Sequence, residues 1–154
     1  MRVSDIMTEA AISDRPDDTL ADAARRMWQQ QTGSLLVMEG TELLGIITER
    51  DVLKAVATGT DLEKTKVEEV MARELVTIHP GASLREAASV MTEKWIRHLP
   101  VLDRGKLVGV LSQRDLAGVL GNALNEPEAL EQLIEASELA RARRLSRIES
   151  GVWD

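Results

Sequence analysis

The 154-residue chain contains no cysteine, no phenylalanine and no tyrosine. The first absence excludes disulfides, thiolate catalysis and thiolate metal ligands. The other two leave an aliphatic core of Leu, Val, Ile, Met and Ala. Three tryptophans are the only aromatic rings besides histidine, too few for a base-stacking platform on single-stranded nucleic acid. Basic charge is also scarce: 19 Lys and Arg against 26 Asp and Glu give a net charge of −7, the opposite of the field that generic nucleic-acid binding needs. No apolar run approaches the ~20 residues of a membrane helix. The opening "MRVSDIMTEA" has no apolar stretch after its charge and does not read as a signal peptide. The expectation is a cytoplasmic protein with neither a nucleic-acid nor a membrane partner.

Chemical motifs are scarce too. His79 and His98 are the two histidines, and no HxxH or HExxH spacing accompanies them, so no metal site is expected. There is no G-x-S-x-G nucleophile elbow, no Walker loop and no marked carboxylate pair. Nothing supports an enzyme.

What is present is a repeat. "GIITERD" at 45–51 returns as "GVLSQRD" at 109–115, and the offset of 64 positions aligns residues 3–56 with 67–120 without a gap. Val3, Met7, Pro16, Leu20, Ala23, Ala24 and Met27 meet Val67, Met71, Pro80, Leu84, Ala87, Ala88 and Met91. Leu35, Val37, Leu43, Gly45, Arg50 and Asp51 meet Leu99, Val101, Leu107, Gly109, Arg114 and Asp115. A match of this length is a duplication. Each copy starts with a short helical turn ("SDIM", "VEEVM") and a short strand before a proline ("AAIS", "LVTI"). An amphipathic helix follows, with apolar residues at i, i+3, i+4 and i+7. Thr19-x-x-Asp22 and Ser83-x-x-Glu86 read as the capping boxes that start it. Two strands joined by the turns "EGTE" and "DRGK" come next, then a second helix from near Glu49 or Gln113. The fold class is α+β: two β-α-β-β-α units of about 55 residues, related by a pseudo-twofold axis and sharing one core. The domain boundaries read as 1–60, 61–124 and a helical extension at 125–154.

The order of elements, the lead-in "VSDIMT", the stretch "RHLPVLD" at 97–103 and the two G-h-h-[S/T]-x-x-D ends resemble a tandem pair of cystathionine-β-synthase (CBS) domains, also called a Bateman module. The resemblance spans roughly 3–120. It implies a sensor that binds an adenosyl-type ligand (AMP, ADP, ATP or S-adenosylmethionine) in the clefts between copies, requires no cofactor, forms a homodimer and controls a protein partner.

Two roles compete for Thr48, Asp51, Ser112 and Asp115. Thr48-x-x-Asp51 and Ser112-x-x-Asp115 fit capping boxes, a hydroxyl at the helix N-cap and an acid three residues on. The same atoms suit a ligand: a carboxylate accepts from both hydroxyls of a ribose, and a helix start attracts phosphate. Ile46 or Val110, on the strand before, can wall a flat base, and Arg50 and Arg114 can reach phosphate oxygens. The glycines Gly45 and Gly109 keep the strand start open or mark a bulge. The resemblance favours ligand contact. It also ranks the clefts, because Arg97 and His98 precede "LPV" in the second copy where the first has Gly33 and Ser34. The cleft with Arg97, His98, Ser112 and Asp115 is expected to bind phosphate better than the one with Thr48 and Asp51.

Beyond the repeat, "NEPE" reads as a helix start, with Asn125 as cap, Pro127 in the first turn and Glu128 at N3. Glu126, Glu128, Glu131, Glu135 and Glu138 precede Arg141, Arg143, Arg144 and Arg147, which matches the helix dipole. It would also let two copies pair antiparallel, acidic half to basic half. Trp153 can anchor on a partner or hang free.

Overall fold

The computed structural model describes residues 1–9 and 12–123, and in the C-terminal stretch residues 137–138, 141–142, 144–146 and 149–150. The first copy contains a 3-10 turn (Val3–Asp5), β1 (Ser13–Asp14), α1 (Leu20–Gln30), β2 (Ser34–Glu39), β3 (Glu42–Thr48) and α2 (Glu49–Ala57). The second contains a 3-10 turn (Val67–Glu69), α3 (Leu84–Lys94), β4 (His98–Asp103), β5 (Lys106–Ser112) and α4 (Gln113–Ala123).

Local chemistry fixes these boundaries. Thr19 Oγ1 accepts from Asp22 N at 3.1 Å, and the Asp22 carboxylate accepts in return from Thr19 N at 3.2 Å, a complete capping box at the start of α1. At α3 the box is half formed: Ser83 Oγ accepts from Glu86 N at 3.1 Å, and no bond returns to Glu86. Both helices end on a left-handed residue, Gln31 and Trp95, one offset apart, a conformation that exposes their last carbonyls to capping N–H groups. The "DRGK" turn has positive φ at both Arg104 and Gly105, as a tight hairpin turn of the primed type needs.

The strands before the prolines are shorter than the sequence suggests. β1 pairs parallel with β2 through Ser13↔Leu36 and Asp14↔Val37 alone. Its counterpart in the second copy is a single parallel bridge, Ile78↔Val101. Pro16 and Pro80 follow within two residues of these pairs and lack the N–H that a ladder needs.

The shared core also needs correction. Two clusters form. Leu20, Ala23, Met27, Leu35, Val37, Ile47 and Ala55 gather in the first copy, and Ile78, Ala87, Met91, Leu99, Val101, Leu111 and Leu116 in the second. Each is completed by the other copy's lead-in. Val67 and Met71 join the first cluster, and Val3 joins the second with Ile6 and Met7 against it. The exchange is reciprocal. Val67 N donates to Asp18 O at 2.8 Å and Val3 N to Ala82 O at 2.9 Å; Ala72 N donates to Ile46 O at 2.9 Å and Thr8 N to Val110 O at 2.9 Å. These pairs obey the 64-residue offset and express the pseudo-twofold axis.

This exchange explains Gly45 and Gly109. A Cβ on Gly45 would lie 2.7 Å from Ala72 O, and one on Gly109 would lie 2.7 Å from Thr8 O. The lead-in backbone passes too close for any side chain. Each glycine also faces a bulge, between Val37 and Met38 or between Val101 and Leu102, so both sequence readings apply.

Described residues within 137–150 are helical and exposed. Asn125, Pro127, Glu128 and Trp153, on which the helix start and the tail anchor rest, lie outside the described residues. No helix among the described residues is long and apolar enough to cross a membrane.

Candidate functional site

The hairpin register sorts side chains by face. In β4 and β5 the pairs are His98↔Ser112, Leu99↔Leu111 and Pro100↔Val110. Alternation sends Leu99, Val101 and Leu111 into the core, where all are fully buried. His98, Val110 and Ser112 therefore share the opposite face, and they line a cavity of about 920 Å³ between the two copies. Arg97, Arg114 and Asp115 line it too. Six residues singled out in the second copy thus come together in one place.

Ser112 and Asp115 form the helix start that their spacing predicts. Asp115 Oδ2 accepts from Ser112 N and from Ser112 Oγ, each at 2.7 Å, and Asp115 N donates back to Ser112 Oγ at 3.3 Å. All these bonds use Oδ2 or the main chain, so Oδ1 has no partner among the described residues. Gln113 N donates to Arg97 O at 2.8 Å, which ties the start of α4 to the backbone that carries Arg97.

The facing wall comes from the first copy. Ala24, Met27 and Trp28 of α1, its C-cap Gln31, Gly33, Ser34 and Leu36 of β2 and its approach, and Glu49 and Val52 of α2 line it. Glu49 forms an ion pair with Arg97 across the cavity. The charged lining is therefore two arginines, Arg97 and Arg114, and two carboxylates, Glu49 and Asp115. Burial pushes the His98 imidazole below its usual value; Arg97 acts in the same sense, while Glu49 and Asp115 oppose it. The net direction favours the neutral imidazole.

The first-copy residues are placed differently. Asp51 Oδ2 accepts from Thr48 N at 2.8 Å and Thr48 Oγ1 at 3.0 Å, so the cap is formed. Thr48, Arg50, Asp51 and Ile46 lie outside the lining of the 920 Å³ cavity. Ile46 is engaged by the lead-in strand through the Ile46↔Ala72 bridge. Among the described residues no group of three or more His, Cys, Asp or Glu could hold a metal ion.

Trp28 and Glu49 are among the lining residues that escaped the sequence reading. Trp28 sits 78% exposed at the cavity. The signal was a large apolar side chain just off the apolar stripe of α1. Glu49 shows only when the copies are subtracted: Glu49 against Gln113 and Gly33 against Arg97 are both changes of charge, and in space Glu49 and Arg97 meet.

Comparison with known proteins agrees with this fold. The family model described as "CBS domain" matches residues 3–58 and 67–122. A CBS domain-containing protein of Bacillus subtilis, YhcV, is 40% identical over 116 residues, which cover 75% of this chain and 82% of that protein. The structure of a protein with CBS domains from Burkholderia ambifaria superposes with a TM-score of 0.75 at 35% identity, over 78% of this chain and 93% of that one. The CBS domain pair of protein MJ0100, solved in complex with 5′-methylthioadenosine and S-adenosyl-L-methionine, superposes with a TM-score of 0.73 at 27% identity, over 79% of this chain and 97% of that one.

Proposed function

This chain belongs to the CBS domain family as a tandem pair, and we propose that it is a non-catalytic regulatory sensor for an adenosyl-type small molecule: AMP, ADP, ATP or S-adenosylmethionine. The observation that carries the reading is the convergence of Arg97, His98, Val110, Ser112, Arg114 and Asp115 on one cavity of about 920 Å³, of a size suited to a small ligand. The question of cap or ligand grip has one answer for both. Asp115 Oδ2 holds the helix start, and Oδ1 is left to accept from ribose hydroxyls. Arg97 and Arg114 serve phosphate or carboxylate. Val110, Leu36 and Met27 offer apolar walls for a base, and Trp28 a face to stack on. The adenosyl ligands bound by the MJ0100 pair support the class.

In this reading the protein acts in the cytoplasm. Binding shifts the relative placement of the copies, and through it a homodimer or a protein partner, only as far as the ligand prefers one state. A homodimer through α2 and α4 is supported by their outer faces, where Leu53, Val56 and Leu120 are 68%, 57% and 40% exposed. The second reading is an interaction module whose Ser/Thr-x-x-Asp pairs serve only as caps. The bonds that Asp51 and Asp115 accept from Thr48 and Ser112 at the two helix starts favour it.

Thermal unfolding separates the two. AMP, ADP, ATP, S-adenosylmethionine, NAD and cyclic dinucleotides are added to wild type, Asp51→Ala and Asp115→Ala. A ligand at 100 times its Kd adds ~2.7 kcal/mol, or about 5–10 °C at this size. A shift abolished by Asp115→Ala and retained by Asp51→Ala supports the sensor; no shift with any compound returns both aspartates to capping.

A further inference from the structure

One charged group in the cavity has no task in the adenosyl reading. Glu49 is the first residue of α2 and belongs to the copy opposite the phosphate-directed arginines. Its carboxylate crosses the cavity to Arg97, with both side chains 55% exposed. Space is reserved for it: a Cβ on Gly33 would lie 3.2 Å from Glu49 Cδ and Oε1. The pseudo-twofold counterparts of Glu49 and Arg97 are Gln113 and Gly33, so this charge pair is not a requirement of the fold.

We infer that Glu49 is a charge-selectivity residue, an internal stand-in for the anionic group of the ligand that holds Arg97 and biases the cavity against polyphosphates. This rests on the adenosyl reading of the same cavity and deepens it. An incoming phosphate must displace the Glu49 carboxylate from Arg97 and then remain beside it. With Glu49 present the arginines and carboxylates of the lining balance, so each added phosphate charge meets no net attraction. A nucleoside monophosphate or a zwitterionic adenosyl compound suffers least, and a triphosphate most.

The test is calorimetric titration of adenosine, AMP and ATP into wild type, Glu49→Gln, Arg97→Gln, the double variant and Asp115→Ala. Gln113 occupies the equivalent helix start in the second copy, so Glu49→Gln places a side chain that the fold already accepts. Removing a half-exposed carboxylate next to phosphate is worth about fivefold per phosphate charge. Glu49→Gln should therefore tighten AMP about fivefold or more, tighten ATP by a larger factor, and leave adenosine within about twofold. The gain should vanish when Arg97 is also Gln. Binding that needs Asp115 but shows the same ATP-to-AMP ratio in wild type and Glu49→Gln overturns the selectivity role and leaves the adenosyl site standing. An equal gain for adenosine overturns it likewise. No binding of any of the three compounds to any variant overturns the selectivity role, and the adenosyl reading then falls or stands with S-adenosylmethionine in the thermal assay.

Discussion

Replacing Arg26 by valine tests how the first copy tolerates a charge in its interior. Asp14 in β1 is 2% exposed, and its carboxylate pairs with Arg26 of α1. No further donor reaches either oxygen among the described residues. Arg26 is better served: it is 35% exposed and also reaches Asp18 Oδ2 at 3.2 Å and Ser13 O at 3.3 Å. The 64-residue offset puts Ile78, Val90 and Ala82 where the first copy has Asp14, Arg26 and Asp18. Ile78 is 7% exposed, and Val90 and Ala82 pack against the second cluster. The protein thus fills one niche twice, once with ions and once with hydrocarbon. Arg26→Val leaves a buried carboxylate uncompensated and should cost about 3–5 kcal/mol, or roughly 10 °C in Tm at this length. Asp14→Ile should cost less, because Arg26 keeps Asp18 and reaches water. The double variant Asp14→Ile/Arg26→Val copies the second niche at similar total volume, and should be as stable as wild type or more so. Urea unfolding of all four proteins measures the cycle. A double variant as unstable as Arg26→Val would refute the reasoning, since the loss would then come from shape and not from the unpaired charge.

Alanine at Gly45 or Gly109 meets a lead-in carbonyl at 2.7 Å and should cost about 2 kcal/mol each, whereas Gly118→Ala, in α4 with nothing within 4 Å, should gain up to about 1 kcal/mol; urea midpoints decide. Trp28, exposed at the cavity, should change its emission when AMP binds, and the change should disappear in Trp28→Leu; persistence would put the ligand elsewhere. His98 is held below its usual value by burial, with Arg97 adding to the effect. The unfolded chain therefore takes up the proton first as pH falls below ~6.5, so the stability from neutral His98 is full above that pH and is lost as the pH drops toward the folded value. His98→Gln should flatten the stability curve in that window. A bound phosphate favours the imidazolium, so AMP should bind more tightly at about pH 6 than at about pH 8 in wild type, with a smaller difference in His98→Gln, where only the phosphate itself titrates.

Much of the fold was legible because the duplication states every pattern twice. The stripe Leu20, Ala23, Met27 and its copy Leu84, Ala87, Met91 gave the helices, and alternation in "SLLVM" and "LPVLD" gave the hairpins. What stayed hidden was long-range. No local pattern says that Val3 completes the second cluster or Val67 the first, because a lead-in of a few residues carries no signal of its destination. Gly45 and Gly109 held that information, yet a glycine in a strand reads equally as a bulge. At the site, Ser112, Asp115, Arg97 and His98 could be read from motif and resemblance. Glu49 could not, because its meaning depends on which side chain faces it across a cleft.

The differences between the copies bear more on function than their likeness does. Residues that the copies share serve each half alike: the caps at Thr48 and Ser112, the close approach at Gly45 and Gly109. Three of the differing positions concentrate charge at the cavity: Arg97 against Gly33, His98 against Ser34, Glu49 against Gln113. All six line the same cavity. Ser112, Asp115 and Arg97 of one copy and Trp28, Gln31 and Glu49 of the other line it, so the binding energy of the proposed ligand would depend on how the copies sit relative to each other. That is the condition for a sensor: occupancy can bias placement only through contacts that differ between placements. The Glu49–Arg97 pair is one contact that spans the copies. In the proposed sensor its rupture on binding releases one copy from the other at the point where both meet the ligand.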